Sequence, residues 1–99
     1  MCAIIGFSGL TTRKVFRQLL KAAQDSGPRS VGIVYAVDDE IHPWKRAVSA
    51  SYAIRNHNHR VDAAADSFLA YGHTRWPTHG DVIDENAHPF EHDGIFFAH

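Results

Sequence analysis

Cys2 to Phe7 is a short apolar run closed by Ser8-Gly9, with no alternation of polar positions, which predicts a strand buried on both faces. Thr11 or Thr12 can cap the helix that follows. In that helix Val15, Phe16, Leu19, Leu20 and Ala23 recur at helical spacing, and Gly27-Pro28 stops it. Val31 to Val37 is again continuously apolar and rich in β-formers, and it ends at the acidic turn Asp38-Asp39-Glu40, so a second buried strand is expected. Trp44 to Ala50 alternates loosely and reads as a strand. Val61 to Ser67, with its alanine run, reads as a short helix ahead of Phe68-Leu69-Ala70-Tyr71. Polar residues from Asp81 to Asn86 predict a loop, and Ile95-Phe96-Phe97-Ala98 predicts a final strand. Several doubly apolar strands with intervening helices predict a layered sandwich of sheets and helices. A chain this size buries only roughly 60–70% of its unfolded surface, so its core is marginal alone.

Composition changes little in this picture but excludes several functions. With 99 residues, 44% apolar and 21% charged, the chain is that of an ordinary folded domain. A formal net charge of -1 and a pI near 6.7 argue against a nucleic-acid binder, which needs a concentrated basic face. Lys45-Arg46, the clearest basic cluster, reads as a solvated strand end. The N-terminal run has no basic residues before it, is broken by Gly6 and Gly9, and leads into Arg13-Lys14, the reverse of a secretory signal. Cys rather than Gly at position 2 excludes N-myristoylation. No segment approaches the roughly 20 apolar residues of a membrane span. One cysteine cannot form an internal disulfide, so a cytoplasmic location is the default expectation.

That single thiol stands at position 2. Removal of Met1, which a small second residue permits, would put the thiol and a free α-amine on one residue. An α-amine with a pKa of about 7.7–8.0 can accept the proton of a thiol with a pKa of about 8.5. Cys2 would then be a nucleophile that needs no separate histidine base. The alternative is a small buried residue at a strand start, the usual fate of a free cysteine.

Downstream lie Gly72-His73-Thr74-Arg75-Trp76-Pro77-Thr78-His79-Gly80 and Asn86-Ala87-His88-Pro89-Phe90. An N-terminal Cys strand, "HTRWPTHG", "NAHPF" and an apolar strand ending in "AH", in that order, resemble the glutaminase domain of class II glutamine amidotransferases. These are N-terminal-nucleophile hydrolases. The blocks are most similar to those of the glucosamine-6-phosphate synthase type, and the resemblance runs from Cys2 to His99. It implies an α+β fold of the αββα sandwich type, present here in its N-terminal part, residues 1–99. It also implies Cys2 as the catalytic nucleophile that hydrolyses the glutamine side-chain amide to glutamate and ammonia.

The substrate-binding residues implied are Arg75, Trp76, Thr78, His79 and Gly80. In the family the arginine takes the α-carboxylate of glutamine, a contact suited to a guanidinium fork. The tryptophan lies between the glutamine pocket and the path of ammonia, and Thr78, His79 and Gly80 line the pocket. Asn86 and His88 are expected to support the loop, His88 bracing it rather than transferring protons. His79 reads equally as a structural histidine. Only Gly27, Ser30 and Gly32 of residues 25–32 match the family's "RGYDSAG" segment beside the active site.

The departures also carry expectations. Ala3 replaces the usual glycine after the nucleophile and puts turnover in question. Phe90 replaces the second histidine of "HPH". Relatives continue from the "AH" of Ala98-His99 into an Asn-Gly oxyanion hole and, further on, an Asp that holds the substrate amino group. Losing one oxyanion donor costs roughly 10²–10³ in rate. These 99 residues are therefore expected to be incompetent alone, with a missing C-terminal half or an ammonia-accepting synthase domain or protein as partner. A binding or regulatory remnant without turnover is the alternative. No cofactor is implied. Nor is a metal expected from the eight histidines, because Pro89 forbids a helical i,i+4 pairing of His88 with His92, and neither cysteine nor regularly placed carboxylates accompany them.

Overall fold

The computed structural model describes residues 2–76 and 83–98. Ten elements follow one another: β1 (Ala3–Ser8), α1 (Arg13–Gln24), β2 (Ser30–Val37), β3 (Glu40–Arg46), α2 (Ala50–Asn56), α3 (Asn58–Asp66), β4 (Leu69–Arg75), a single 3-10 turn (Asp84–Asn86), β5 (Phe90–His92) and β6 (Ile95–Phe97). The class is α+β. One antiparallel sheet has the order β1-β4-β2-β3, and β5-β6 form a separate two-stranded ribbon.

The helices cover one face of the four-stranded sheet. Thr12 caps α1 by accepting a hydrogen bond from the amide of Val15, and Phe16, Leu20 and Ala23 form its buried stripe. They meet Val31, Ile33 and Tyr35 from β2, Trp44 from β3, and small residues of α2 and α3, among them Ala50, Ala53, Ala64 and Ala65. Alanines let both short helices lie close to the sheet. A bidentate Arg17–Asp62 pair at 2.6–2.7 Å and an Arg13–Asp66 pair at 2.8 Å tie α1 to α3. The Arg13 guanidinium holds the Asp66 carboxyl below its usual pKa range.

Several expectations change. β1 is an edge strand whose residues alternate between half-buried and exposed, with Ile4 56% exposed, so it is not buried on both faces. Val15 lies on the exposed flank of α1. Residues 44–50 divide between the end of β3 and the start of α2, and that helix and β5 are both additions to the elements read from the sequence. Asp38 and Asp39, both at positive φ, make the two-residue turn that pairs Val37 with Glu40, a conformation short acidic side chains tolerate.

Strand alternation assigns the second face of the sheet to Ile4, Gly6, Ser30, Gly32, Val34, Pro43, Lys45, Tyr71, His73 and Arg75. Ala87, His88 and Pro89 are buried against this face, and Phe90 starts β5 over it. Lys45 is the bolt. Its ammonium donates to the carbonyls of Glu85 and Pro89, both at 3.1 Å, and lies 4.9 Å from the Phe90 ring centre. Burial lowers its pKa, a shift that Glu85 opposes. Lys45 is therefore a structural clamp, not a solvated strand end.

Beyond that clamp an apolar cavity of about 260 Å³ opens between Val34, Ile41, Tyr71 and Phe96. The Tyr71 hydroxyl is buried with no hydrogen-bond partner among the described residues, and burial raises its pKa. Tyr71→Phe is expected to leave stability unchanged or raise it by up to about 1 kcal/mol, since the hydroxyl contributes desolvation cost without a bond. A raised folded pKa means wild-type stability is intact below the unfolded value of about 10 and falls as pH climbs through the folded one. The variant should lose less between neutral and alkaline pH, measured by urea unfolding across that range.

Candidate active site

The sheet brings the two ends of the sequence motif together. β1 and β4 pair with Ala3 opposite Thr74, and one residue further along the same register sets Cys2 beside Arg75. The Cys2 thiol donates to the Trp76 carbonyl at 3.7 Å across 74 residues of sequence. On the other side of β4, Ser30 is the register partner of Arg75. Cys2, Arg75 and Ser30 thus form a row across three adjacent strands, all on the face away from the helices. Ala3 shares the side of Ile5 and Phe7, the helix side, so its methyl group points away from this row.

The backbone under the row is clamped from the end of α1. The Thr74 hydroxyl donates to the Ala23 carbonyl at 2.6 Å, and the Arg29 amide donates to the Arg75 carbonyl at 3.1 Å. Gly27 packs on this same stretch so closely that a Cβ there would lie 2.4–2.5 Å from Thr74 and Arg75 backbone atoms. The loose match around Gly27, Ser30 and Gly32 therefore has a physical basis: two glycines admit backbone at contact distance, and Ser30 stands in the row.

Arg75 is only 7% exposed, whereas Trp76 is nearly half exposed at the strand end. Two residues before Arg75 on the same face, His73 stacks on His88 with ring centres 3.9 Å apart and planes 6° from parallel, and the Phe90 ring is tilted against His88 at 4.6 Å. Both imidazoles are buried. His88 is held by its ring stack on His73 and by its carbonyl, which lies against Gly32. Asn86 ends the 3-10 turn that leads into this segment. Thr78, His79 and Gly80 lie outside the described residues. The sequence alone assigns no role to His73 or Ser30: alternation along β4 puts His73 on the face of Arg75, but only the β2–β4 register sets Ser30 opposite it.

Among the described residues no three His, Cys, Asp or Glu side chains gather as a metal site, and no helix is long and apolar enough to cross a membrane. The two described cavities lie away from Cys2: the apolar one at Tyr71, and one of about 470 Å³ lined by Trp44, Lys45, Arg60, Glu91 and others. Register and hydrogen bonding, rather than cavity size, mark the candidate site.

No protein-family profile matches the chain. Among curated proteins it is 35% identical over 92 residues to glutamine–fructose-6-phosphate aminotransferase (isomerizing) of Bacillus licheniformis, covering 92% of this chain and 15% of that protein. The Bacillus subtilis protein of the same name is 34% identical over the same shares, and that of Halalkalibacterium halodurans 32% over 99 residues, 99% of the chain and 16% of the protein. The chain is a homologue of one part of these aminotransferases. The class II glutamine amidotransferase resemblance, of the glucosamine-6-phosphate synthase type, is thereby borne out. The chain spans about 15% of the length of these aminotransferases.

Proposed function

We propose that the chain is the nucleophile-bearing part of a glutamine amidotransferase, in which Cys2 hydrolyses the glutamine side-chain amide and the ammonia passes to an acceptor domain or protein. The observation that carries this is the Cys2–Trp76 contact beside Arg75, which joins the lone thiol to the arginine–tryptophan block. Four bonds separate the amide carbon of glutamine from its carboxylate carbon, so one molecule can reach from a thiol to a guanidinium on the neighbouring strand. The freed α-amine takes the thiol proton, the sulfur attacks the amide carbon, and ammonia leaves as the α-ammonium returns that proton. Water then cleaves the thioester to glutamate. A reducing, cytoplasmic setting goes with a free thiol nucleophile. Helices on one face of the four-stranded sheet and the β5-β6 ribbon as a second, separate sheet are what support reading the fold as the αββα sandwich of N-terminal-nucleophile hydrolases.

The test is alkylation by the diazoketone analogue of L-glutamine, followed by intact mass. Saturable single labelling at Cys2, slowed by L-glutamine, is expected; labelling that does not saturate would sink the proposal. Arg75→Gln should raise the analogue concentration for half-maximal rate by about 10- to 100-fold, because a bidentate charged contact is worth about 1.5–3 kcal/mol. An unchanged concentration dependence would remove Arg75 from the carboxylate site.

A further inference from the structure

We propose that the Ser30 hydroxyl is a second contact for the α-carboxylate of the substrate, an inference that rests on the glutaminase reading above. Ser30 is 1% exposed, and its Oγ is buried with no hydrogen-bond partner among the described residues. Buried hydroxyls are nearly always paired, so an orphan calls for a partner that arrives later. Its place names the partner. Ser30 opposes Arg75 in the β2–β4 register, on the flank away from Cys2, and strand alternation puts it on the same face as both.

The chemistry fits a carboxylate. A guanidinium fork fills two of roughly four lone-pair positions on the two oxygens, which leaves room for a hydroxyl donor from the side. Ser30 lies where that side is, one strand beyond Arg75 from the thiol. Among the described residues nothing bonds the hydroxyl: Ser30 pairs through its backbone with Arg75 of β4, and the β2–β3 ladder begins one residue later, at Val31. The same position in the helix-facing register would hold an apolar residue, as Val31 and Ile33 do.

Ser30→Ala separates this role from a structural one. In the free 99-residue chain the melting temperature is expected to stay the same or rise, because an unbonded buried hydroxyl is removed. With the diazoketone analogue of L-glutamine, the concentration for half-maximal labelling of Cys2 should rise about tenfold while the maximal rate is unchanged. Iodoacetamide, which carries no amino-acid carboxylate, should label wild type and variant equally fast. An unchanged half-maximal concentration, or a lower melting temperature with unchanged labelling, overturns the assignment of Ser30 and leaves the glutaminase reading standing. Failure of the wild type to show saturable labelling overturns both.

Discussion

Gly32→Ala is expected to cost about 3 kcal/mol or more and to lower the melting temperature by roughly 10–25 °C, given a shift of 4–8 °C per kcal/mol for a domain this size. The cause is backbone, not side chain. A Cβ on Gly32 would lie 1.4 Å from the His88 carbonyl oxygen, 2.5 Å from its carbon and 3.1 Å from Pro89 Cδ. Pro89 is itself held by Lys45 through its carbonyl, so the segment cannot slide away without breaking that hydrogen bond. Displacing His88 also undoes its stack on His73, two residues from Arg75. The loss should therefore reach the site: in any folded variant, glutamine-analogue labelling of Cys2 weakens along with stability. Thermal unfolding by circular dichroism decides the matter, and a melting temperature equal to wild type would show that the 88–90 segment is not seated on the sheet as described.

The parts of this fold that were legible in sequence are those whose pattern is local. The α1 stripe of Phe16, Leu20 and Ala23, its Thr12 cap, and the unbroken run of β2 need no knowledge of neighbours. The half-exposure of β1 is not legible locally, because its edge position depends on β4 inserting between it and β2, which no window around Cys2 encodes. α2 has no stripe of large apolar residues; Ala50 and Ala53 bury it through their smallness. Lys45 looked solvated because a charge pattern cannot show two carbonyls contributed by a segment 40 residues away.

The site divides in the same way. Cys2, Arg75 and Trp76 came from a motif, and their meeting follows once β1 and β4 are paired. Ser30 and His73 required the register, because their relevance lies in which face and which row they occupy. The conformationally demanding positions carried a faint signal: Gly27 and Gly32 matched the family segment where most of their neighbours did not, and both are points of close backbone approach.

Blocking the N-terminus should be nearly as damaging as removing the thiol. Cys2→Ala deletes the only cysteine, so labelling by the glutamine diazoketone should vanish, and any glutamate release from L-glutamine should drop at least about 10⁴-fold. An uncleavable extension ahead of Cys2 is the more discriminating change. It keeps the sulfur, the Arg75 row and the β1–β4 register, but moves the free α-amine to another residue. Iodoacetamide should still alkylate Cys2, since that reaction needs only an accessible thiolate. The diazoketone reaction and amide hydrolysis should slow by about 10²–10⁴-fold, the usual worth of a positioned acid–base group. Equal rates in the free and extended chains would mean that the α-amine is not the base. Proton transfer would then have to come from a side chain, and the buried His73–His88 stack, the nearest imidazoles on that face among the described residues, would be the first place to look.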